Sequence, residues 1–329
     1  MQTPYRVLVV GLGQIGLGYD LALGPEFAYS HARAFAQHPA FELAGGVDRD
    51  ATQRVLLTRH YGCPAFASIE EAAAALKSVD IVVIATPTAL HAEALRSALA
   101  RLSPRAVLCE KPLSQDLGEA RAMVALCEEQ NVALLVNYMR RADAAVIEVK
   151  QRLDSGAIAG PVKGVCWYSK GFRHNGSHFF NLLQYWLGPV ESSTVVDPGR
   201  MWDDHDPEPD VHVRFARGTI LFLAAREEAF SHYTIELVAG NGRLRYEQGG
   251  QRVEWQRAAP ANVKGYTKLE AGPQPIENGM QRYQYHVAEQ LAAALEGRAH
   301  HLSDGRDALA TLAAMEKIIE KIAEQRGNA

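Results

Sequence analysis

The stretch Tyr5-Arg-Val-Leu-Val-Val-Gly11-Leu-Gly13-Gln-Ile-Gly16-Leu-Gly18 decides the fold. Val7 to Val10 is a β-branched run of the length of a strand buried on both faces, and it stops at three glycines spaced G-x-G-x-x-G. Gly11 permits the tight turn, Gly13 removes the side chain that would block a pyrophosphate, and Gly16 lets a following helix pack closely on the strand. Gln14 and Ile15 complete the turn and share its assignment to a cofactor. A helix starting there would aim its N–H groups and positive dipole end at the phosphates. The next strand-like run, Phe41 to Val47, ends in Asp48, where a carboxylate can accept both hydroxyls of an adenosine ribose. The alternative for Asp48 is a cap on a helix over Ala51 to His60; the order strand, glycines, helix, strand and acid favours the dinucleotide. Asp48 lies further from the glycines than the usual ~20 residues. The segment Tyr19 to Ser30 reads as an insertion that explains the excess, with Tyr29 and Ser30 placed to line a substrate mouth.

At 329 residues the chain exceeds one ordinary domain, so two domains sharing one cleft are expected. Hydrophobic content of 47% and charged content of 22% are those of a globular protein. A net charge of -4 leaves no basic footprint, which argues against nucleic acid or an anionic membrane as partner. Cys63, Cys109, Cys127 and Cys166 show no CxxC pairing and read as reduced core residues. No run is apolar enough for a membrane span and no secretory signal is evident, which places the protein in the cytoplasm.

Strand and helix then alternate as a doubly wound parallel sheet requires. Helix Ala51 to His60, strand Pro64 to Phe66, the capping box Ser68-Ile-Glu-Glu71 and strand Asp80 to Thr86 follow in turn. Helix Ala89 to Ala100, strand Ala106 to Cys109, helix Asp116 to Gln130 and strand Val132 to Val136 complete a domain over 1–136. From Asn137 the rhythm changes: helices Asp143 to Asp154 and Ser177 to Leu187 precede short strands with hairpin turns at Arg217-Gly218 and Asn241-Gly242. This predicts a second α/β domain over 137–329, built on a mainly antiparallel sheet and closed by helices Met280 to Leu295 and Ser303 to Ala323.

Lys111 follows a buried strand at the carboxyl edge, between Glu110 and Pro112, where its ammonium can donate to a carbonyl or alkoxide oxygen; the alternative is a solvated lysine or one paired to Glu110. In His174-Asn175-Gly-Ser177-His178, Ser177 suits a helix cap and His178 falls in the first turn, with Asn181 and Tyr185 on its stripe. A positive dipole end disfavours imidazolium, which suits a general base; a hydrogen-bonded core histidine is the competing reading. Thr86-Pro87 and His91 open a helix at the same sheet edge, within reach of cofactor phosphates or ribose, unless Thr88 simply caps it. Asp203-Asp-His-Asp206 has a metal-like composition but no ligand spacing and reads as a solvated loop, so no metal is expected.

These motifs, with Asn137-Tyr-Met-Arg140-Arg141, occur in the order seen in the Gfo/Idh/MocA oxidoreductases, which the chain resembles over nearly its whole length. The resemblance implies a Rossmann domain and an α/β domain whose open sheet forms homodimers or homotetramers. It implies hydride transfer between a nicotinamide and a carbinol carbon of a sugar, polyol or nucleotide sugar. Lys111 and His178 would assist proton transfer, Glu110 would belong to the cofactor site, and Asn137, Arg140, Asn175 and Asn181 would join Lys111 at the substrate. Where many members carry aspartates, four residues before the histidine and three after it, this chain has His174 and Asn181. His174 would then act as a proton relay, or the chemistry differs. Asp48 repels a ribose 2′-phosphate and so selects NAD, with Arg49 beside it softening the choice toward NADP. Two alternatives stand beside a dehydrogenase: a redox-neutral enzyme that oxidises a sugar transiently, and a dinucleotide-binding sensor or scaffold without catalysis.

Overall fold

The computed structural model describes residues 3–226 and 230–327. The chain divides into two compact units, Met1–Ala142 with Gln281–Leu309, and Asp143–Met280 with Ala310–Ala329. The division differs from a single boundary at 136/137, because the chain returns to its first unit near the end.

In the first unit, β1 (Tyr5–Val10), β2 (Phe41–Val47), β3 (Ala65–Phe66), β4 (Ile81–Ile84), β5 (Ala106–Cys109) and β6 (Ala133–Val136) pair in parallel in the order β3-β2-β1-β4-β5-β6. The order reverses between β1 and β4, the place where such sheets bind ligands. Val7, Val9, Ile81, Val83 and Leu108 are fully enclosed, which is why these strands read as unbroken apolar runs. Helices α1 (His31–Gln37), α2 (Ala51–Tyr61), α3 (Ile69–Ala75), α4 (His91–Leu102) and α5 (Leu117–Glu129) connect the strands. Ser68 accepts the Glu71 N–H at 3.2 Å, and Glu71 reaches back to the Ala67 N–H at 3.0 Å, so the capping box forms one residue early on its return arm.

The glycine turn departs from expectation. No full helix follows Gly16; a turn leads into a single 3₁₀ turn, Gly18–Asp20, and the chain loops out before α1. The His31 and Ala32 N–H groups then donate to the Ile15 and Gly16 carbonyls, both at 3.0 Å. Thus α1 resumes the ladder that the turn began, and residues 19–30 are spliced into the helix between its first turn and its remainder.

The second unit begins with α6 (Ala144–Asp154), β7 (Val162–Tyr168) and α7 (Ser177–Leu187). A long sheet follows: β8 (Val190–Met201), β9 (Pro207–Phe215), β10 (Gly218–Ala224), β11 (Thr234–Ala239), β12 (Gly242–Glu247), β13 (Arg252–Pro260), β14 (Thr267–Leu269) and β15 (Gln274–Ile276). The order is β14-β13-β12-β11-β7-β10-β9-β8 with β15 on β13, antiparallel except for β7 with β10. One face is buried through Tyr168, Phe222, Leu237 and Tyr246 beside α7 residues Phe180 and Trp186, while Trp167, Val196 and Val238 lie exposed. The three-residue strands β14 and β15 were not legible, being too short for an alternation to register.

The chain closes with α8 (Tyr283–Leu295), β16 (Ser303–Asp304) and α9 (Gly305–Gly327). Val287, Ala288 and Leu291 of α8 enter the core of the first unit, and β16 adds an antiparallel edge to β6.

Candidate active site

The end of β1 and the start of β2's loop are tied together by hydrogen bonds: Gly11 N–H to the Val47 carbonyl at 2.8 Å, and Leu12 N–H to Asp48 Oδ2 at 2.8 Å. Asp48 Oδ1 accepts the Asp50 N–H, and Asp50 rather than Asp48 caps α2 by accepting the Thr52 N–H at 2.7 Å. The cap alternative for Asp48 therefore fails. Gly11 turns at φ +95°, and a β-carbon there would stand 2.6 Å from the Ala85 carbonyl group. One on Gly16 would stand 2.0 Å from the Gly11 oxygen, whereas Gly13 faces open space to 4 Å. That opening belongs to a cavity of about 680 Å³ lined by Gly11, Gly13, Asp48, Arg49, Thr86 and Pro87 among others. Thr86 Oγ1 is buried there without a hydrogen-bond partner among the described residues. An open glycine, an anchored carboxylate and an unmatched hydroxyl fit a dinucleotide's pyrophosphate and ribose.

Other residues assigned to the cofactor fall elsewhere. Gln14, Ile15 and Gly16 lie on the turn outside that lining; Gly16 acts in close packing. Arg49 is the exception: it lines the cavity, but its side chain is mostly exposed, with its guanidinium 3.9 Å from Glu93. His91 is 1% exposed, its Nε2 2.9 Å from the Thr86 carbonyl and its Nδ1 3.1 Å from that of Pro112. It staples the loop after β4 to the loop after β5 and lies outside the lining of the cavity. Thr88 caps nothing, since α4 begins without a side-chain cap.

Glu110 also leaves the cofactor list. Its Oε1 accepts from His31 Nε2 at 2.7 Å and from Asn137 Nδ2 at 2.6 Å. Burial pushes its carboxyl up, but the His31 hydrogen bond and charge, the Asn137 amide and the Lys111 charge outweigh burial and hold it below its usual value. Lys111 follows at the carboxyl end of β5, its N–H 3.4 Å from Glu110 Oε2. Asn137 is enclosed and also reaches Gln284, and Arg140 is buried, so neither presents an open surface to a substrate within this unit.

In the second unit, α7 begins at Ser177 as expected, but Ser177 does not cap it; its hydroxyl donates to the His174 carbonyl at 3.2 Å. A π-helical turn over Gly171–Gly176 runs directly into α7, which places His178 one to two turns inside a continuous helical path. The N-terminal amides of that path are met by acids. Gly171 N–H reaches Glu208, and the N–H groups of Arg173 and His174 donate to Asp206 at 2.7 and 2.8 Å. The dipole argument for His178 is corrected accordingly: the positive end lies at Gly171 and is matched by carboxylates. Asp206, read as part of a solvated loop, is 5% exposed, and burial pushes its carboxyl up to about 6. Among the described residues no group of three His, Cys, Asp or Glu is placed to hold a metal ion.

His174 is exposed and stacks on Trp202, ring centroids 5.2 Å apart. Asn175 donates to the Tyr233 hydroxyl at 2.7 Å. Asn181 is buried and donates to Thr311 at 3.0 Å, which turns that position from a substrate contact into a helix-to-helix tie. Tyr29 is half-buried against Tyr283, whereas Ser30 is fully buried and caps α1, so only Tyr29 keeps an exposed edge. The sequence alone did not single out His31, Gln284 or Glu208, and it misread Asp206 as solvated. Ser30 as a cap directly before His31 was the one available signal.

Residues 5–138 match the model of GFO_IDH_MocA, an oxidoreductase family with an NAD-binding Rossmann fold. Inositol 2-dehydrogenase of Rhizobium meliloti (strain 1021) is 26% identical over 325 residues, spanning 90% of this chain and 94% of that protein. D-apiose dehydrogenase of Rhizobium rhizogenes is 25% identical over 334 residues, spanning 91% and 93%. The WlbA dehydrogenase of Bordetella pertussis, crystallised with NADH and UDP-GlcNAcA, superposes with a TM-score of 0.74 at 20% identity over 98% of each chain, a likeness of fold. None of the described helices is long and apolar enough to cross a membrane. The family match runs from β1 past β6 and so takes in the glycine turn, Asp48 and the Glu-Lys-Pro strand end: residues 5–138 carry the NAD-binding Rossmann fold of the Gfo/Idh/MocA oxidoreductases, which the chain is similar to beyond that segment at 25–26% identity.

Proposed function

We propose that this oxidoreductase dehydrogenates a secondary alcohol of a sugar, polyol or sugar derivative, with NAD as its preferred dinucleotide. The observation that carries the cofactor half is the cavity in which Gly13 is open, Thr86 Oγ1 lacks a partner and Asp48 is anchored by the Leu12 N–H. The substrate class follows from relatives named for inositol and D-apiose dehydrogenation, names that also favour net oxidation over the redox-neutral and sensor alternatives.

When bound, the nicotinamide supplies the hydride acceptor. Gly11, Gly13 and Thr86 would hold its phosphates and Asp48 its ribose, at the switch between β1 and β4. On the alcohol, His178 accepts the hydroxyl proton as general base. Lys111 stabilises the developing oxyanion through a charge-assisted hydrogen bond. His174 serves as a relay for the proton, and Asn175 lies beside it. The exposed sheet face carrying Trp167 and Val238 would form the homo-oligomer, and four buried free thiols suit a reducing cytoplasm.

Nicotinamide fluorescence titration should give tighter binding of NADH than of NADPH. A screen of polyols, sugars and nucleotide sugars then identifies the turnover. Lys111→Ala and His178→Ala should each lower kcat by about 10²-fold or more. Turnover within a few-fold of wild type in both variants would remove the proposed roles.

A further inference from the structure

Glu110 stands one residue before Lys111 and is the hub of a buried polar network inside the first unit. Its Oε1 takes two donors, from His31 at 2.7 Å and Asn137 at 2.6 Å, and Asn137 Nδ2 also meets Gln284 Oε1 at 3.2 Å. His31, Asn137 and Gln284 are 1%, 2% and 1% exposed. With its carboxyl held below the usual value, Glu110 is ionised and accepts only, so His31 Nε2 carries the hydrogen. The other Glu110 oxygen faces the Lys111 N–H at 3.4 Å. The direction of this carboxylate is therefore coupled to the backbone that presents Lys111.

The residues on either side of the Glu110–Asn137 pair, His31 and Gln284, are both seated by the spliced segment 19–30. On one side, Asp20 is fully buried and accepts the N–H groups of Tyr29 and Ser30 and the Ser30 hydroxyl, at 2.7 to 2.8 Å. That closure delivers His31 to the Ile15 carbonyl and its ring to Glu110. On the other side, Ala28 donates to the Gln281 carbonyl at 3.1 Å and accepts the Gln284 N–H at 3.2 Å, while Tyr29 stacks on Tyr283. The same short segment thus seats the two side chains that flank the Glu110–Asn137 pair.

We infer that His31 is a positioning residue of the reaction: with Asn137 it holds the Glu110 carboxyl in its orientation, and the 19–30 segment, acting through His31 and Gln284, sets the strand end that presents Lys111. The inference rests on the assignment of Lys111 to the substrate oxygen. It makes the segment part of the catalytic framework and Glu110 an internal anion outside the cofactor contacts. A displacement of about 1 Å at such a group costs on the order of 10²-fold in rate.

The test uses the full-length protein and the alcohol found by the screen, with proton NMR of ¹⁵N-histidine-labelled protein without substrate. A low-field imidazole N–H resonance should be present in the wild type, move upfield in Glu110→Gln, whose neutral amide oxygen is a weaker acceptor, and vanish in His31→Ala. His31→Ala should lower kcat by about 10- to 10²-fold while NADH affinity stays within about 2-fold. His31→Gln, which keeps an N–H donor, should recover kcat to within about 5-fold of wild type, and Asn137→Ala should combine with His31→Ala less than multiplicatively, because both act on one oxygen. If His31→Ala does not fold, His31→Gln, Asn137→Ala and the resonance in Glu110→Gln carry the test. An unshifted resonance in Glu110→Gln, unchanged kcat in the folded variants, or a loss of NADH affinity matching the loss of kcat would each overturn the inference. Failure of the Lys111 assignment would show differently, as unchanged turnover in Lys111→Ala with the resonance intact.

Discussion

A β-carbon placed at position 13 and one placed at position 16 meet opposite surroundings, although both residues belong to one glycine motif. At Gly13 nothing stands within 4 Å, so a side chain is accommodated by the protein and collides only with what the cavity is shaped to hold. At Gly16 the added carbon stands 2.0 Å from the Gly11 carbonyl oxygen, and the turn itself must shift. Gly13→Val should therefore keep wild-type stability in urea denaturation and weaken NADH binding by about 10-fold or more, by occluding a close backbone approach. Gly16→Ala should instead lower stability by about 1–3 kcal/mol or more, the cost of overpacking. Equal effects of the two on stability would mean that Gly13 is a packing glycine as well. Asp48 was legible at this scale because its position after β2 is a matter of order along the chain. Glu110 was misjudged because its partners His31 and Asn137 are distant in sequence, and nothing local indicates which oxygen they share.

Among the elements, the π-helical turn Gly171–Gly176 shows how acids from a distant strand finish a helix start. Asp206 lies just before β9 and takes the Arg173 and His174 N–H groups, and a β-carbon on Gly171 would stand 2.1 Å from its Oδ2. Burial raises the Asp206 carboxyl from 3.8 to about 6 against the pull of those amides. A raised acid binds its proton more tightly in the folded state, so its stabilising contribution is full below 3.8 and lost as pH rises through about 6. Compared with Asp206→Asn, which does not titrate, the wild type should lose up to about 3 kcal/mol of relative stability between about pH 3.5 and 7. Denaturation midpoints of the pair across that range give the difference directly. A flat difference would mean that the carboxylate is well solvated or fully compensated when charged. The spliced helix is the second lesson at this scale. The insertion was visible as excess length between Gly16 and Asp48, but its splice point lies in the hydrogen bonds from His31 and Ala32 to Ile15 and Gly16, which join residues 16 apart.

For the whole molecule, the chain's return to its first unit has an energetic consequence. Val287 and Leu291 of α8 are fully buried in that unit's core, and burying each such side chain contributes about 1.5–3 kcal/mol. A fragment ending at residue 142 would lack α8 and β16 and expose the apolar surface they cover. It should bind a hydrophobic dye and unfold without a cooperative transition, whereas the same fragment joined to residues 281–309 should unfold cooperatively. Cooperative unfolding of the shorter fragment would make α8 an accessory rather than part of that core.

The sequence by itself determined the two kinds of sheet, the glycine turn, Asp48 at the end of β2 and the family likeness of residues 5–138, because strand periodicity, turn chemistry and motif order are local and are read along the chain. Tertiary structure alone decided that Glu110 is an internal anion, that His91 and Asn181 are enclosed ties, that Asp206 is buried, and that α8 belongs with the first unit. Each of those depends on which distant groups meet a polar atom once water has been removed from it, and a residue's neighbours in sequence carry no record of that.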